Sequence, residues 1–442
     1  MLGWALSRER KAIHWRTVAW ALALQWIFAV IVLKGVVMAH ALEFIPFPKG
    51  SGWVVLALMF TPALLKKFAH WEDKRVNWGI FAVVAMAAVR GNLVGSTFDR
   101  VRLIVESLMS YAREGALFVF GSLANPGGSV GMIFAFVVLP TIIFVASIFA
   151  VLYYLGVMQW VVGAFARAIN RVLKVSGAES VSVAASILMG QTEAPLTIRP
   201  FLANLTRSEL MVVMTAGMAH VSGAIMVAYV QVAHVDIVHL LTAVIMTAPG
   251  AIMMAKLLEP ETGQPVTSGI VDVNLPNTDA NVLDAAARGA SEGLHLAFNV
   301  AGMLIAFIAL VAMINGLMKA VHPALTMEMV LGQAFRPFAF VMGVPWSEAG
   351  QVGALLGKRM VVNEFVAFIE LGQLTALSAK ARLISTFALC GFANFSSIAI
   401  QVGGIGALVP ERRGDLARLG FKAMLAGTLA NFLSACIAGI LS

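Results

Sequence analysis

The chain is 442 residues long, 60% of them hydrophobic and only 12% charged, with a mean hydropathy of +0.87. Those values exclude an ordinary soluble domain. The formal charge of +8 sits in short loops flanking apolar segments, where it sets topology, and does not read as a nucleic-acid-binding face.

Apolar runs of about 20 residues, enough to cross hydrocarbon, recur at Thr17–Leu33, Ile133–Val157, Leu210–Val230, Ile237–Leu258, Leu296–Met318, Leu383–Val402 and Phe421–Leu441. They are continuous, not alternating, so a β-barrel is excluded. The fold class is an all-α polytopic membrane protein. The first run follows Arg8, Arg10, Lys11 and Arg16, and no small-residue cleavage site ends it. It reads as an anchor with its basic flank in the cytoplasm.

Two shorter apolar stretches follow, Trp53–Leu65 and Trp78–Val89, separated by "KKFAHWEDKR". They either cross the bilayer or lie as re-entrant or peripheral pieces. After the Ile133–Val157 run comes "MQWVVGAFARAINRVLKV", where Arg167, Arg171 and Lys174 fall on one helical stripe opposite apolar residues. Such a segment lies on the cytoplasmic interface. The polar connector Glu259–Asp284, with Pro260, Pro265 and Pro276, reads as an external loop.

Two apolar regions are broken. Ser180–Pro200 contains Gly190, Pro195 and Pro200; Leu331–Phe368 contains Pro337, Gly343, Pro345, Gly350, Gly353 and Gly357. A backbone break at membrane depth is tolerated only where it packs in protein or lines a wet cavity. A pair of such segments in the two halves of a chain points to a transporter binding site. Two re-entrant helical hairpins are therefore expected, at about 180–200 and 331–368.

Three polar clusters occupy this apolar background: Gln191, Thr192 and Glu193; Asn363 and Glu364; Asn394, Ser396 and Ser397. A charge at the bilayer centre costs about 2.5–3.5 kcal/mol on insertion scales, so each carboxylate needs partners or a ligand. The plainer reading is that these groups tie helices together; it weighs most for the serines and least for Glu193 and Glu364. Carboxylates accept from sugar hydroxyls, amides read a base edge, and a phenyl ring such as Phe392 packs on a planar solute. No Arg or Lys cluster accompanies them, which disfavours a phosphorylated solute.

"GQTEAPLTIRPFLANLTRSEL", "GKRMVVNEFVAF" and "CGFANFSSIAIQVGG" resemble the signature segments of the concentrative nucleoside transporter family, over roughly Ile133 to Ser442. The resemblance implies a homotrimer in the inner membrane whose protomers have scaffold and transport parts and move like an elevator. Residues 1–130 would be a scaffold-like N-terminal membrane region, and 131–442 the transporter core. Carried over, Gln191, Thr192 and Glu193 would contact the base and Ile225 would pack on it. Glu364, Asn394 and Ser397 would hold the ribose, with Phe392 against the nucleoside ring. The family usually has lysine where Arg359 stands, and its bacterial members usually begin with a further spanning helix.

Sodium-coupled members of that family build a cation site at positions matching Ser186, Met189, His220 and Val221, with asparagine at the first and serine at the third. Hard cations want oxygen, and His220 offers nitrogen that titrates near neutral pH. The expected coupling ion is H+, with His220 as carrier and Glu193 as a possible partner; Na+ is the alternative, and no cofactor or resident metal is expected. An uncoupled facilitator or channel fits the composition equally well. An intramembrane enzyme does not, because His234 and His239 are five apart, a poor ligand spacing. Cys390 and Cys436 suggest neither a disulfide nor a metal site.

Overall fold

The computed structural model describes residues 2–34, 93–125, 131–267 and 279–442; the stretches Trp53–Leu65 and Trp78–Val89 lie outside these, as does part of the polar connector. The described residues are helical, with no strand among them, and six helices are long and apolar enough to cross a membrane.

Two groups of helices share one plan. The first is a hairpin, Gly177–Ser186 and Ala194–Asn204, then a broken helix, Arg207–Ala219 and Gly223–Ala233, then a continuous one, Ile237–Leu258. The second is Trp346–Val361 and Glu364–Gln373, then Ala379–Leu389 and Phe395–Leu408, then Arg413–Leu441. The expected runs Leu210–Val230 and Leu383–Val402 are thus each two half-helices. The second hairpin turns at Val362–Asn363, so it begins and ends further along the chain than 331–368, and Met327–Val341 is a separate helix packed on its first arm.

The groups point opposite ways. The first hairpin is rooted by two capping boxes, Ser176 with Glu179 and Thr206 with Glu209, each satisfying two free helix-end N–H groups. Its root meets Arg412, which donates to the Ala203 and Leu205 carbonyls. The root of the second hairpin is held by Ser378 on Glu348, and Arg382 donates to the carbonyl of Ala233, at the far end of the first broken helix. The two hairpins enter from opposite faces.

This arrangement corrects the placement of the connector. Arg8 of the basic N-terminal segment donates to Glu259 at 2.7 Å, and its backbone N–H bonds the Leu258 carbonyl. The connector therefore starts on the same face as the N-terminal basic segment, not outside. The reason is topological: a re-entrant hairpin returns to its own side, so the next two crossings bring the chain back to that face.

Packing also groups the helices in a way the boundary at 130 did not capture. Trp15–Leu33 packs on Ile237–Leu258 and on Arg413–Leu441, with buried Gln25 donating to the Met246 carbonyl at 3.1 Å. Leu139–Tyr154 instead pairs with the 40-residue helix Val282–Val321. Small residues set that close crossing: a Cβ on Gly293 would lie 2.8 Å from Ala146 Cβ, and Ser147 donates to the Ala286 carbonyl. Between the two groups, Val157–Leu173 is amphipathic, as its basic stripe requires.

Candidate solute site

Four chain breaks converge between the hairpins. Gly190 opens the first tip, where its carbonyl accepts from the N–H groups of Glu193 and Ala194, and its own N–H donates to the Glu193 carboxylate at 3.2 Å. The tip is held against the first broken helix by the Gly223 N–H on the Leu188 carbonyl. In the second group, Asn363 caps the helix that begins at Glu364, and Asn394 caps the helix that begins at Phe395. Asn side chains suit these positions because each accepts from a free N–H of the first turn.

These breaks enclose a cavity of about 510 Å³, within the size range of small-molecule sites. Gln191, Thr192, Glu193, Ile225, Glu364, Phe392, Asn394 and Ser397 all line it. Every solute-contact position expected from the sequence therefore meets the others in space. One wall belongs to the 40-residue helix, through Leu296, Val300, Met303, Leu304 and the amide of Asn299.

Glu364 is the centre of the polar set. Tyr229 donates to its Oε1 and Asn394 to its Oε2, both at 3.0 Å. As the first residue of its helix it also faces the positive end of the backbone dipole. The Asn394 oxygen accepts from the Ser397 N–H and the Ser396 hydroxyl, and one N–H of its amide serves Glu364, which leaves the second N–H for a solute. Gln191 reaches across to the Ser397 hydroxyl at 3.2 Å, leaving its own buried Oε1 without a partner. A carboxylate held by two donors, beside an unused amide oxygen, can accept hydroxyls on one side and a donor edge on the other.

Ser186, Met189, His220 and Val221 do not line the cavity; they form the buried junction behind the first tip. The Ser186 hydroxyl donates to the Ser182 carbonyl at 2.9 Å. His220 Nδ1 lies 2.7 Å from the Ala216 carbonyl, and its Nε2 is buried with no hydrogen-bond partner. Since a carbonyl only accepts, Nδ1 carries the proton in that contact, and the Val244 carbonyl also faces the ring. The His220 ring and Glu193 hold different partners here, Ala216 and Gly190.

Tyr229 escaped the sequence reading. It is fully buried, stacked on Phe368 with ring centroids 4.2 Å apart, and a buried phenol in an apolar helix demands a partner. That demand was the available signal. Asn299 and Met303 carried no such signal, because nothing local distinguishes the cavity wall of a long apolar helix from its lipid face.

Three family models match the chain: "Na+ dependent nucleoside transporter C-terminus" over residues 239–439, "Nucleoside recognition" over 135–235, and "Na+ dependent nucleoside transporter N-terminus" over 1–47. An uncharacterized transporter of Haemophilus influenzae is 43% identical over 377 residues, spanning 83% of this chain and 89% of that protein. The nucleoside permease NupC of Helicobacter pylori is 41% identical, spanning 76% of this chain and 83% of its own. CNTnw in an inward-facing substrate-bound state matches with TM-score 0.82 and 38% identity over 100% of this chain and 96% of that one, and an outward-facing state of a substituted CNTnw matches at 0.81.

Proposed function

This chain belongs to the concentrative nucleoside transporter family, and from that premise we propose that it is a proton-coupled symporter importing nucleosides. The observation that carries the reading is the convergence of Gln191, Glu193, Glu364, Asn394 and Ser397 on one cavity. Glu364 and Asn394, with Ser397, take the ribose hydroxyls. Gln191, Thr192 and Glu193 read the base, with Ile225 and Phe392 packed against the ring system.

Coupling follows from energetics and ligand chemistry. One charge moving down 100 mV supplies about 2.3 kcal/mol, enough for roughly fifty-fold accumulation. The His220 ring offers nitrogen, which can take a proton but is a poor sodium ligand, and the Ser186 hydroxyl is turned onto Ser182. Sodium is the second reading, favoured by the wording of the family models. Proteoliposomes decide: uridine accumulation under a proton gradient alone supports proton coupling, and sodium-dependent, pH-insensitive uptake overturns it.

The motion is elevator-like. Leu139–Tyr154 and Val282–Val321 act as the scaffold, and the two inverted groups carry the solute past it. The matches to both inward-facing and outward-facing forms of CNTnw support this. The protein works as a homotrimer in the inner membrane, performing transport and no covalent chemistry. Cross-linking in native membranes, read as a three-chain band, tests the assembly.

A further inference from the structure

Two buried side chains lie behind the cavity without lining it. Arg359, 1% exposed, stands on the first arm of the second hairpin; Asn431, 0% exposed, stands on the last helix. Arg359 Nε donates to the Gly391 carbonyl at 3.2 Å, and its Nη2 donates to Asn431 Oδ1. Asn431 Nδ2 then donates to two carbonyls, Ala219 at 2.8 Å and Cys390 at 2.9 Å.

Those three carbonyls have a common origin. Ala219 ends the first half of one broken helix, and Cys390 and Gly391 follow the first half of the other. The carbonyls at a helix end lack intrahelical donors and carry the negative end of the dipole. In a membrane interior they need donors supplied by side chains. One guanidinium and one amide supply them to both broken helices at once.

The same bonds close a ring through the solute site. From Arg359 the chain runs over the tip to Glu364; Asn394 donates to Glu364 at 3.0 Å; and three residues back from Asn394 is Gly391, held by Arg359. Gly391 fits because a Cβ there would lie 2.5 Å from Asn431 Oδ1 and 2.6 Å from the Ala219 carbonyl. On the same strip, the Phe392 N–H bonds the His220 carbonyl, so the first broken helix is registered by this strip as well.

We propose that Arg359 and Asn431 are a positioning pair for solute binding: they pin the strip Cys390–Asn394 to both broken helices and so fix where Asn394 stands against Glu364. The proposal rests on the reading that the Glu364 side of the cavity holds a ribose. It assigns the pair an effect on sugar discrimination that does not extend to base discrimination: the polar base readers Gln191 and Thr192 sit on the other hairpin, and Phe392, on the strip itself, packs against either base alike.

The test is uptake by the full chain in proteoliposomes of uridine, 2′,3′-dideoxyuridine and inosine, by wild type, N431A and R359K. Wild type should show a KM for the dideoxy compound at least about tenfold above that for uridine, the size of a lost charge-assisted hydrogen bond. In N431A the uridine KM should rise about tenfold, that of dideoxyuridine should stay within about twofold, and the Vmax values should stay within about threefold, so that sugar discrimination collapses. R359K keeps the charge but not the planar fork, and its ratio should fall between the two. The uridine-to-inosine ratio should hold throughout. Unchanged sugar discrimination in the variants overturns the proposal, and so does equal loss of sugar and base discrimination. If N431A fails to reach the membrane, the R359K ratio decides by the same criterion. A wild type that does not distinguish uridine from the dideoxy compound refutes the ribose reading itself, and the proposal goes with it.

Discussion

The two hairpins have the same plan but are wired differently at their tips. In the second, Glu364 is held by Tyr229 and Asn394, and Asn394 is itself bonded by Ser396 and Ser397. In the first, Glu193 is held by one backbone N–H, and the buried oxygen of Gln191 has no partner. One half of the cavity is therefore built before any solute arrives, and the other keeps unspent capacity. Preorganised groups bind without paying to order themselves, so the second hairpin should dominate affinity, and the first should tune which solute is accepted.

The largest effect should come from Glu364→Gln, which removes the charge at the most heavily bonded position. Uptake should fall at least about a hundredfold, since two charge-assisted hydroxyl contacts are worth roughly 1.5–3 kcal/mol each; uptake normalised to membrane protein measures it, and a near wild-type rate would break the asymmetry. Tyr229→Phe should come next, raising the KM for uridine by about tenfold through loss of one bond to the carboxylate. Gln191→Ala should cost less, about fivefold, because a neutral bond nets about 1 kcal/mol. Its effect should also differ between bases, which parallel uridine, cytidine and adenosine uptake would reveal. A Gln191→Ala loss as large as that of Glu364→Gln would contradict the division of labour.

The smallest effect on transport should come from Glu259→Gln, far from the cavity. Glu259 accepts from Arg8, Arg207 and Lys422, joining the N-terminal segment to the first broken helix and the last helix. Burial alone would raise its carboxyl, but the hydrogen bonds from Arg8 and Arg207 and the nearby Lys422 charge outweigh it and hold the group below its usual range. A depressed carboxylate stabilises above its unfolded value and loses that contribution only as pH falls through its folded one. Thermal unfolding should therefore show a lower midpoint for the variant at pH 7. The difference should persist down to the usual carboxylate range and close only below it, with the uridine KM unchanged.

Much of the cavity was legible in the sequence, for a physical reason. Polar groups are so costly at membrane depth that Gln191, Glu193, Glu364 and Asn394 stand out from an apolar background. The helix breaks at His220–Ser222 and Cys390–Asn394 were less legible. Cys390 to Ala393 are apolar or small, so hydropathy reads straight through a segment whose backbone is not helical. Arg359 and Asn431 gain meaning only from partners far along the chain, which no local pattern encodes. The side of the connector was misjudged although the expected hairpin already implied it: with 180–200 re-entrant, the two crossings that follow return the chain to the N-terminal face, as the contact of Arg8 with Glu259 records.

Whether these remote segments form one nucleoside site can be read by calorimetric titration of uridine into the purified protein. One saturable site per chain is expected, abolished by Glu364→Gln and by Asn394→Ala and weakened by Gln191→Ala. Uridine binding with unaltered affinity in all three variants would contradict it.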